Sequence, residues 1–560
     1  MSDVTLSDPT QKSHEEAVRL LIDGDTAWDR RLLQASNWLN PILVKETRQA
    51  LKSKQFTWTF MLLIVIAIAW TLIGILSSIP NIYYDADGSV FLLGYLIILL
   101  FPSMLVIPQA TFRSMASELE DGTFETLSLS LLQPSQIIYG KLSVAALQLV
   151  LYLSILAPCI ALTYLLQGVT LEIIAALLLI IGSVCLFLCT IAIFLAATAR
   201  SRVVQVLFSV VMIGLQLVAG GILFGYIIQI VREQSLGWEG WTATMLTLLA
   251  LIAYGWLWMR CSSSLIDMAS ANRSTPIRSA VFIVGTAIAV CGAFMVLINQ
   301  GNLGDESAQI ACVVAVFCWI HWGIAGGWMM GESGIITNRA RRTLPDSYFG
   351  RVFLTWFNPG AGPAYLLIVL GFIGPWIAFF AVLTIVNLSV AGSNATKEIA
   401  FSSWAYVSAL AAYLALYLGI VRLTLLIIFR KSRAPRMLLS FAMVFVMFIL
   451  SIFLSLSISL AAGDYRDMEF DWYCFINPIW TLGELFPTMY QARQGMSIFD
   501  NGEELFAWLA LVVSASIVFL INAVFTARDV MVSRIETPPR VLAERPGNKR
   551  AKETPTWEEL

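Results

Sequence analysis

The stretch TWTFMLLIVIAIAWTLIGILSSI, residues 57–79, decides the fold because it carries no charged side chain. A helix needs about 20 consecutive apolar residues to cross the hydrocarbon core of a membrane, and this stretch reaches that length. Similar apolar stretches lie at roughly 89–109, 144–167, 171–198, 204–230, 242–259, 279–298, 307–330, 364–388, 401–429, 437–462 and 504–526. The sequence therefore predicts an all-α, polytopic membrane protein with about twelve transmembrane helices.

The composition of the whole chain points the same way. Of its 560 residues, 58% are hydrophobic and 13% are charged, and the mean hydropathy is +0.77. A soluble protein of this size cannot cover so much apolar material with polar side chains, whereas a bundle embedded in lipid has no such need. The first 36 residues are polar and charged, so no cleavable signal peptide is visible, and we expect residues 57–79 to act as a signal anchor.

The distribution of basic residues predicts the orientation of the spans. With a cytoplasmic N-terminus, the outer loops hold only four of the 35 Lys and Arg residues, namely Arg232, Lys397, Arg466 and Arg493. Because cytoplasmic loops carry the excess of basic residues, both termini are expected in the cytoplasm. The predicted domains are a polar N-terminal segment (1–36), a six-span unit (37–262), a second six-span unit (263–526) and a disordered basic tail (527–560).

Several kinds of chemistry have no residues to support them. The eight cysteines form no CxxC pair and there are only two histidines, so no metal site is expected. A phosphate-binding loop needs GxxxxGK[ST], and the nearest string, residues 135–142, has only Gly140-Lys141. The spans contain few ionisable groups: His321, a ligand or more simply a neutral imidazole bonded within the bundle, and Arg422, expected to reach the interface. We expect no enzyme activity and no bound cofactor. If the protein moves a solute across the membrane, we expect another subunit to supply the energy.

The segment NPILVKETRQ, residues 40–49, precedes the first span. Pro41 is a favoured first residue of a helix, and Lys45, Arg48 and Lys52 would then share one face. Glu46 falls among the apolar positions of the opposite face, so the amphipathic pattern is imperfect. The segment 40–54 is predicted to be a helix lying at the inner membrane interface, although an ordinary basic flank of a first span explains the pattern equally well.

A second segment, residues 112–142, lies between the second and third spans and contains ELEDGTFETL at 118–127. Its acidic residues stand out on a side of the membrane that is otherwise basic. They would suit a short helix that docks into a basic groove on a soluble partner, and a solvated loop is the alternative.

Together, the two segments resemble the membrane subunits of ABC transporters of the type-2 exporter class, the ABC-2 permeases. The resemblance covers about residues 38–260. In that family an NPxxxKExR-like interfacial helix precedes the first span, which corresponds here to Asn40, Pro41, Lys45, Glu46 and Arg48. The family's ATPase-coupling segment corresponds to Glu118, Glu120, Gly122, Thr123, Glu125, Leu127, Leu131, Leu132, Pro134, Gly140 and Lys141. The chain departs from the family pattern at Asp121, which replaces a commonly basic residue, and in the longer run 127–132.

The second half has weaker echoes of these segments. Glu332-Ser333-Gly334 resembles Glu120-Asp121-Gly122, and Trp356-Phe357-Asn358-Pro359 resembles Trp38-Leu39-Asn40-Pro41. The second unit is thus either a diverged repeat or an accessory bundle, and chance explains the echoes about as well.

The resemblance implies a permease subunit of an ATP-binding cassette exporter. It implies a cytoplasmic ABC ATPase partner, in two copies, that holds ATP and magnesium, and a homodimer of this chain if the second half is not a permease repeat. The expected location is the lipid bilayer of a prokaryotic plasma membrane, and no nucleic-acid partner is expected. A major-facilitator-like transporter and a non-transporting scaffold are the alternatives. A faint major-facilitator pattern lies at Gly331 to Arg342, but it lacks the aspartate of that pattern.

Overall fold

The computed structural model describes residues 41–79, 88–120, 133–199, 201–233, 237–268, 271–298, 305–334, 355–389, 394–428, 436–462, 475–493 and 502–535. These residues are almost entirely helical, and no strand occurs among them. Twelve helical segments in this described part are long and apolar enough to cross a membrane. The predicted all-α class and the predicted number of spans are therefore confirmed, and the chain is an integral, multi-pass membrane protein.

The chain divides into two compact units, Met1–Asp267 and Met268–Leu560, and six of the twelve spans fall in each. The helices of unit 1 are α1 (Pro41–Leu51), α2 (Lys54–Ser78), α3 (Gly88–Leu100), α4 (Ile107–Glu120), α5 (Pro134–Leu165), α6 (Leu171–Thr198), α7 (Arg202–Glu233) and α8 (Trp238–Ile266). A π-helical turn, Phe101–Val106, joins α3 to α4, so that these two helices form one continuous span.

Local sequence explains how the unit 1 helices begin. Ser53 ends the short link after α1, and its hydroxyl accepts a hydrogen bond from the Phe56 amide at 3.2 Å, which caps the N-terminus of α2. Gln133 and Gln136 form a reciprocal capping box at the start of α5, where Pro134 supplies a first helical residue that needs no amide partner. Pro102 lies in the π-helical turn, where the missing proline amide is accommodated by the wider helix.

Unit 2 contains α9 (Ser274–Ile298), α10 (Asp305–Met329), α11 (Ala361–Ser389), α12 (Asn394–Ile427), α13 (Arg436–Ala462), α14 (Pro478–Arg493) and α15 (Gly502–Ile535). A single 3-10 turn, Thr355–Phe357, precedes α11. Helix α14 has 16 residues and is too short to span a membrane. The sequence analysis found no span between the apolar stretches 437–462 and 504–526, and it missed α14 because a short helix with two prolines does not have the length of a span.

Each unit is organised around its fourth span. In unit 1, α6 packs against α4, α5, α7 and α8, and in unit 2, α12 packs against α10, α11, α13, α14 and α15. Many large apolar side chains are exposed on the peripheral helices α2, α7 and α13. Lipid-facing apolar side chains are expected of a membrane bundle, because hydrocarbon is the solvent there.

One predicted boundary differs from the structure. The predicted tail was placed at 527–560, but α15 continues to Ile535, so its first residues are helical and the remainder, 536–560, lies outside the described residues. The prediction failed because the last apolar stretch ends at residue 526 and the charged residues after it still extend the helix. The predicted N-terminal segment 1–36 also lies outside the described residues.

Candidate functional site

Lys141 is the centre of a buried charge cluster in unit 1. Its side chain is only 1% exposed, and its Nζ atom lies 2.7 Å from Glu46 Oε1 and 2.9 Å from Glu118 Oε2. The same nitrogen donates a hydrogen bond to Ser114 Oγ at 3.0 Å. The ammonium group thus donates hydrogen bonds to Glu46 and Ser114 and forms an ion pair with Glu118. The cluster ties α1, α4 and α5 together at the end of the unit where these three helices meet.

The positions of the acidic residues follow from helical periodicity. Glu46 lies one turn after Ile42 on the same side of α1, and both residues are buried against the unit. Ser114 and Glu118 are likewise one turn apart on α4 and both reach Lys141. The apolar face of α1 meets the buried Lys141 at this position, which explains why a glutamate interrupts that face.

The charges of the cluster do not cancel, because two carboxylates share one ammonium group. Burial raises the pKa of the Glu46 carboxyl above its ordinary value, since the charged form loses its hydration. Lys141 acts against this shift by its charge and its hydrogen bond, Glu118 adds to it, and Lys45 lowers it slightly. Glu46 is thus protonated more readily than an ordinary glutamate.

Other charged side chains at this end of unit 1 face outward. Glu120 pairs with Arg202 at 3.1 Å, with their side chains 43% and 83% exposed. Lys45, Arg48 and Lys52 are exposed along α1. The end of the unit therefore has a buried, paired interior and an exposed surface of both signs.

The structure describes some of the predicted site residues and not others. Pro41 and Pro134 each begin a helix, Gly140 is buried beside Lys141, and Lys45 and Arg48 are exposed on α1. The remaining predicted residues lie outside the described part of the chain: Asn40, Gly122, Thr123, Glu125, Leu127, Leu131 and Leu132. Of the described carboxylates of the acidic segment, Glu118 pairs with Lys141 and Glu120 remains at the surface.

Unit 2 contains a second buried cation, Arg278, which the sequence analysis did not identify. Its side chain is 1% exposed and pairs with Glu332. The guanidinium group also donates to three backbone carbonyls, those of Trp356 (3.0 Å), Asn358 and Gly360 (2.8 Å). Arg278 therefore fastens the turn before α11 to the first turn of α9.

Neighbouring hydroxyl groups complete this second cluster. Ser274 donates a hydrogen bond to Glu332, and Thr275 Oγ1 donates to the Phe357 carbonyl at 2.9 Å. The sequence analysis had singled out Glu332 and the Trp356–Pro359 segment. Arg278 was missed because it directly precedes an apolar run and because backbone carbonyls carry no signal in a sequence.

The two ionisable residues noted within the spans also have partners. Arg422 is buried, and its Nη1 donates to the Asn522 carbonyl at 2.9 Å, while Asp529 lies 3.4 Å from Nη2. The expectation that Arg422 reaches the membrane interface is therefore wrong, because α15 supplies acceptors inside the unit. His321 Nε2 lies 3.0 Å from the Val281 carbonyl, in agreement with an imidazole bonded within the bundle.

No group of three or more His, Cys, Asp or Glu side chains that could hold a metal ion occurs in the described part of the chain. Comparisons of the chain with protein-family models, with curated proteins and with solved structures find no match.

Proposed function

We propose that the chain is the membrane-spanning permease subunit of an ATP-binding cassette exporter and that it couples to a separate ATPase subunit. One observation carries the proposal. Glu46, Glu118 and Lys141 were singled out from three different parts of the two motif segments, and all three converge on one buried cluster. Glu46 and Lys141 are 95 residues apart in sequence, so no local pattern required them to meet.

The cluster gives unit 1 a way to transmit a push. Helix α4 ends at Glu120, within the acidic segment 118–127, and α5 is the next described helix, starting at Pro134. A partner that presses on this segment would move α4 and α5, and the buried pairs to Lys141 would make α1 move with them. Because α4 and α5 continue into the second and third spans, the movement would be passed into the membrane bundle.

The partner in this proposal is a cytoplasmic ABC ATPase, in two copies, that binds ATP and magnesium. Its closure on ATP would rock the spans between inward-open and outward-open states. The exposed Glu120 supports a docking surface at this end of unit 1. The membrane is the plasma membrane of a prokaryote in this proposal, and both termini lie in the cytoplasm.

Co-purification tests the proposal. The tagged chain, extracted from its native membrane in mild detergent, should bring down a soluble protein with a phosphate-binding loop and ATPase activity. The chain alone should not hydrolyse ATP. Repeated recovery of the chain without any ATPase, together with transport driven by a proton gradient, would favour a major-facilitator-like transporter. ATP hydrolysis that follows the pure chain through gel filtration would also contradict the proposal.

The proposed orientation has its own test in unit 1. Single cysteines at Lys52 and Glu233 lie at opposite ends of the unit, and both positions are exposed. In sealed cells a membrane-impermeant thiol reagent should label Glu233→Cys and should reach Lys52→Cys only after permeabilisation. The unsubstituted chain gives the background from its native cysteines. The reverse order of labelling would overturn the orientation.

A further inference from the structure

Helix α14 begins inside unit 2 and not at its surface. Tyr413 of α12 donates a hydrogen bond to the Phe475 carbonyl, and its hydroxyl lies 2.8 Å from Thr481 Oγ1. Asn477 Nδ2 donates to Ser455 Oγ of α13 at 3.1 Å. The first turn of α14 and the residues before it are therefore held against the sides of two spans.

The depth of these contacts follows from helical geometry. Tyr413 lies ten residues into the span Ser403–Ile427, about 15 Å from its end at a rise of about 1.5 Å per residue. Ser455 lies six residues before the end of the span Arg436–Ala461, which corresponds to about 9 Å. The same end of unit 2 is where α13 finishes and α15 starts, and α14 is too short to cross to the other end. Residues 475–493 thus start inside the bundle near this end of unit 2, as a re-entrant segment does.

The tip of this re-entrant segment is not helical throughout, and part of it is exposed. Asn477 lies between a short 3-10 turn and α14, and its Oδ1 caps α14 by accepting from the Ile479 amide at 3.0 Å. Ile476 is 36% exposed, and its carbonyl accepts a long hydrogen bond, 3.4 Å, from the Tyr417 hydroxyl in an exposed contact. An exposed carbonyl and an exposed hydroxyl therefore lie at span depth.

Such groups cannot face hydrocarbon. Irregular backbone at membrane depth is tolerated only where protein buries it or where it lines a water-filled cavity. The contact between Ile476 and Tyr417 is exposed, so burial by the described part of the chain does not account for it. We propose that this end of unit 2 contains a water-filled vestibule that reaches the tip of α14. This inference goes beyond the proposed ATPase coupling and does not depend on it.

The lining indicates what the vestibule would admit. The described polar groups around the tip are hydroxyls, an amide and backbone carbonyls, and no charged side chain is among them. The vestibule would therefore offer hydroxyl, amide and carbonyl groups to water and small polar solutes.

Cysteine accessibility tests the vestibule. In a Cys474→Ser background, Ile476→Cys of the full chain in sealed vesicles should react with small, charged, membrane-impermeant thiol reagents added on the side where α13 ends. Phe453→Cys is the matched control, because Phe453 is 61% exposed on α13 at a similar depth but lies on its apolar surface. It should stay unlabelled.

The outcomes are distinct. Absence of labelling at Ile476→Cys, with normal labelling after denaturation, would overturn the vestibule. Equal labelling at both positions would show that α13 is not at membrane depth and would overturn it as well. If Ile476→Cys lowers the yield of folded protein, Ile479→Cys, one turn further along the exposed side of α14, replaces it in the same experiment.

Discussion

Two buried cations, Lys141 in unit 1 and Arg278 in unit 2, are held in different ways. Lys141 in unit 1 is bound by side chains only, two carboxylates and one hydroxyl, which come from three helices. Arg278 in unit 2 is bound by one carboxylate and by three backbone carbonyls of a single turn. A lysine is a compact charge on a flexible stem, whereas the planar guanidinium group of an arginine has donors in a fixed geometry.

The difference indicates different roles. Three of the four groups that bind Arg278 are backbone carbonyls, which cannot change their charge, and they belong to one turn. The contacts of Lys141 include carboxylates whose protonation and pairing can change, and they join helices that connect to different spans. The cluster of Lys141, Glu46 and Glu118 therefore fits a movable contact in the proposed coupling, and we call it the joint. The cluster of Arg278, Glu332 and the turn before α11 fits a fixed contact, and we call it the brace.

The largest effect is expected when the brace is removed. Arg278→Met would leave Glu332 and three carbonyls without their donor, and breaking a buried ion pair typically costs about 3–5 kcal/mol of folding free energy. The thermal unfolding temperature of the chain in detergent should fall strongly. Arg278→Lys keeps the charge but lacks the planar set of guanidinium donors, so its unfolding temperature should lie between those of Arg278→Met and the unsubstituted chain. Full stability in Arg278→Met would show that the turn before α11 does not need its brace.

A somewhat smaller effect is expected at the joint. Lys141→Met would leave Glu46 and Glu118 close together without a cation, at a cost of about 3 kcal/mol, since one of the two carboxyls can take up a proton. Adding Glu46→Gln and Glu118→Gln to Lys141→Met should restore most of the stability, because no buried charge then remains. If this triple variant is no more stable than Lys141→Met, the cluster is not held by charge.

The joint should also respond to pH. The pKa of Glu46 is raised in the folded chain. At pH values just above the ordinary pKa of a glutamate, the folded chain therefore keeps a proton that the unfolded chain releases. Stability should therefore decrease as pH rises through the window between the unfolded and the folded pKa. Melting temperatures measured across this range should show the slope in the unsubstituted chain and a flatter line in Glu46→Gln. An identical slope in both would assign the effect to another group.

The smallest effect on stability is expected at the surface pair of unit 1. Glu120 and Arg202 are both exposed, and such pairs contribute at most about 1 kcal/mol. Glu120→Gln and Arg202→Gln should each shift the unfolding temperature very little. A large shift would mean that this pair is part of the packed joint and not of a docking surface.

The sequence predicted the parts of this structure that depend on local pattern. The spans can be recognised in the sequence because about 20 consecutive apolar residues are the length that a helix needs to cross a membrane. Glu46 and Lys141 were noted within their motifs, but their contact was not predictable, because it depends on how α1 packs against α5. Arg278 has the same difficulty, since most of its partners are main-chain oxygens. The short α14 was missed because its position depends on Tyr413 of a distant span.

The central claim is that the end of unit 1 around the Lys141 cluster receives an ATPase, and a pull-down tests it most directly. The variant Glu120→Gln with Glu125→Gln should capture much less of the co-purifying ATPase than the unsubstituted chain does, while its unfolding temperature stays nearly constant. The control, Glu172→Gln with Glu233→Gln, removes two exposed carboxylates at the opposite end of the same unit and should leave capture unchanged. Equal capture by both double variants would contradict the account.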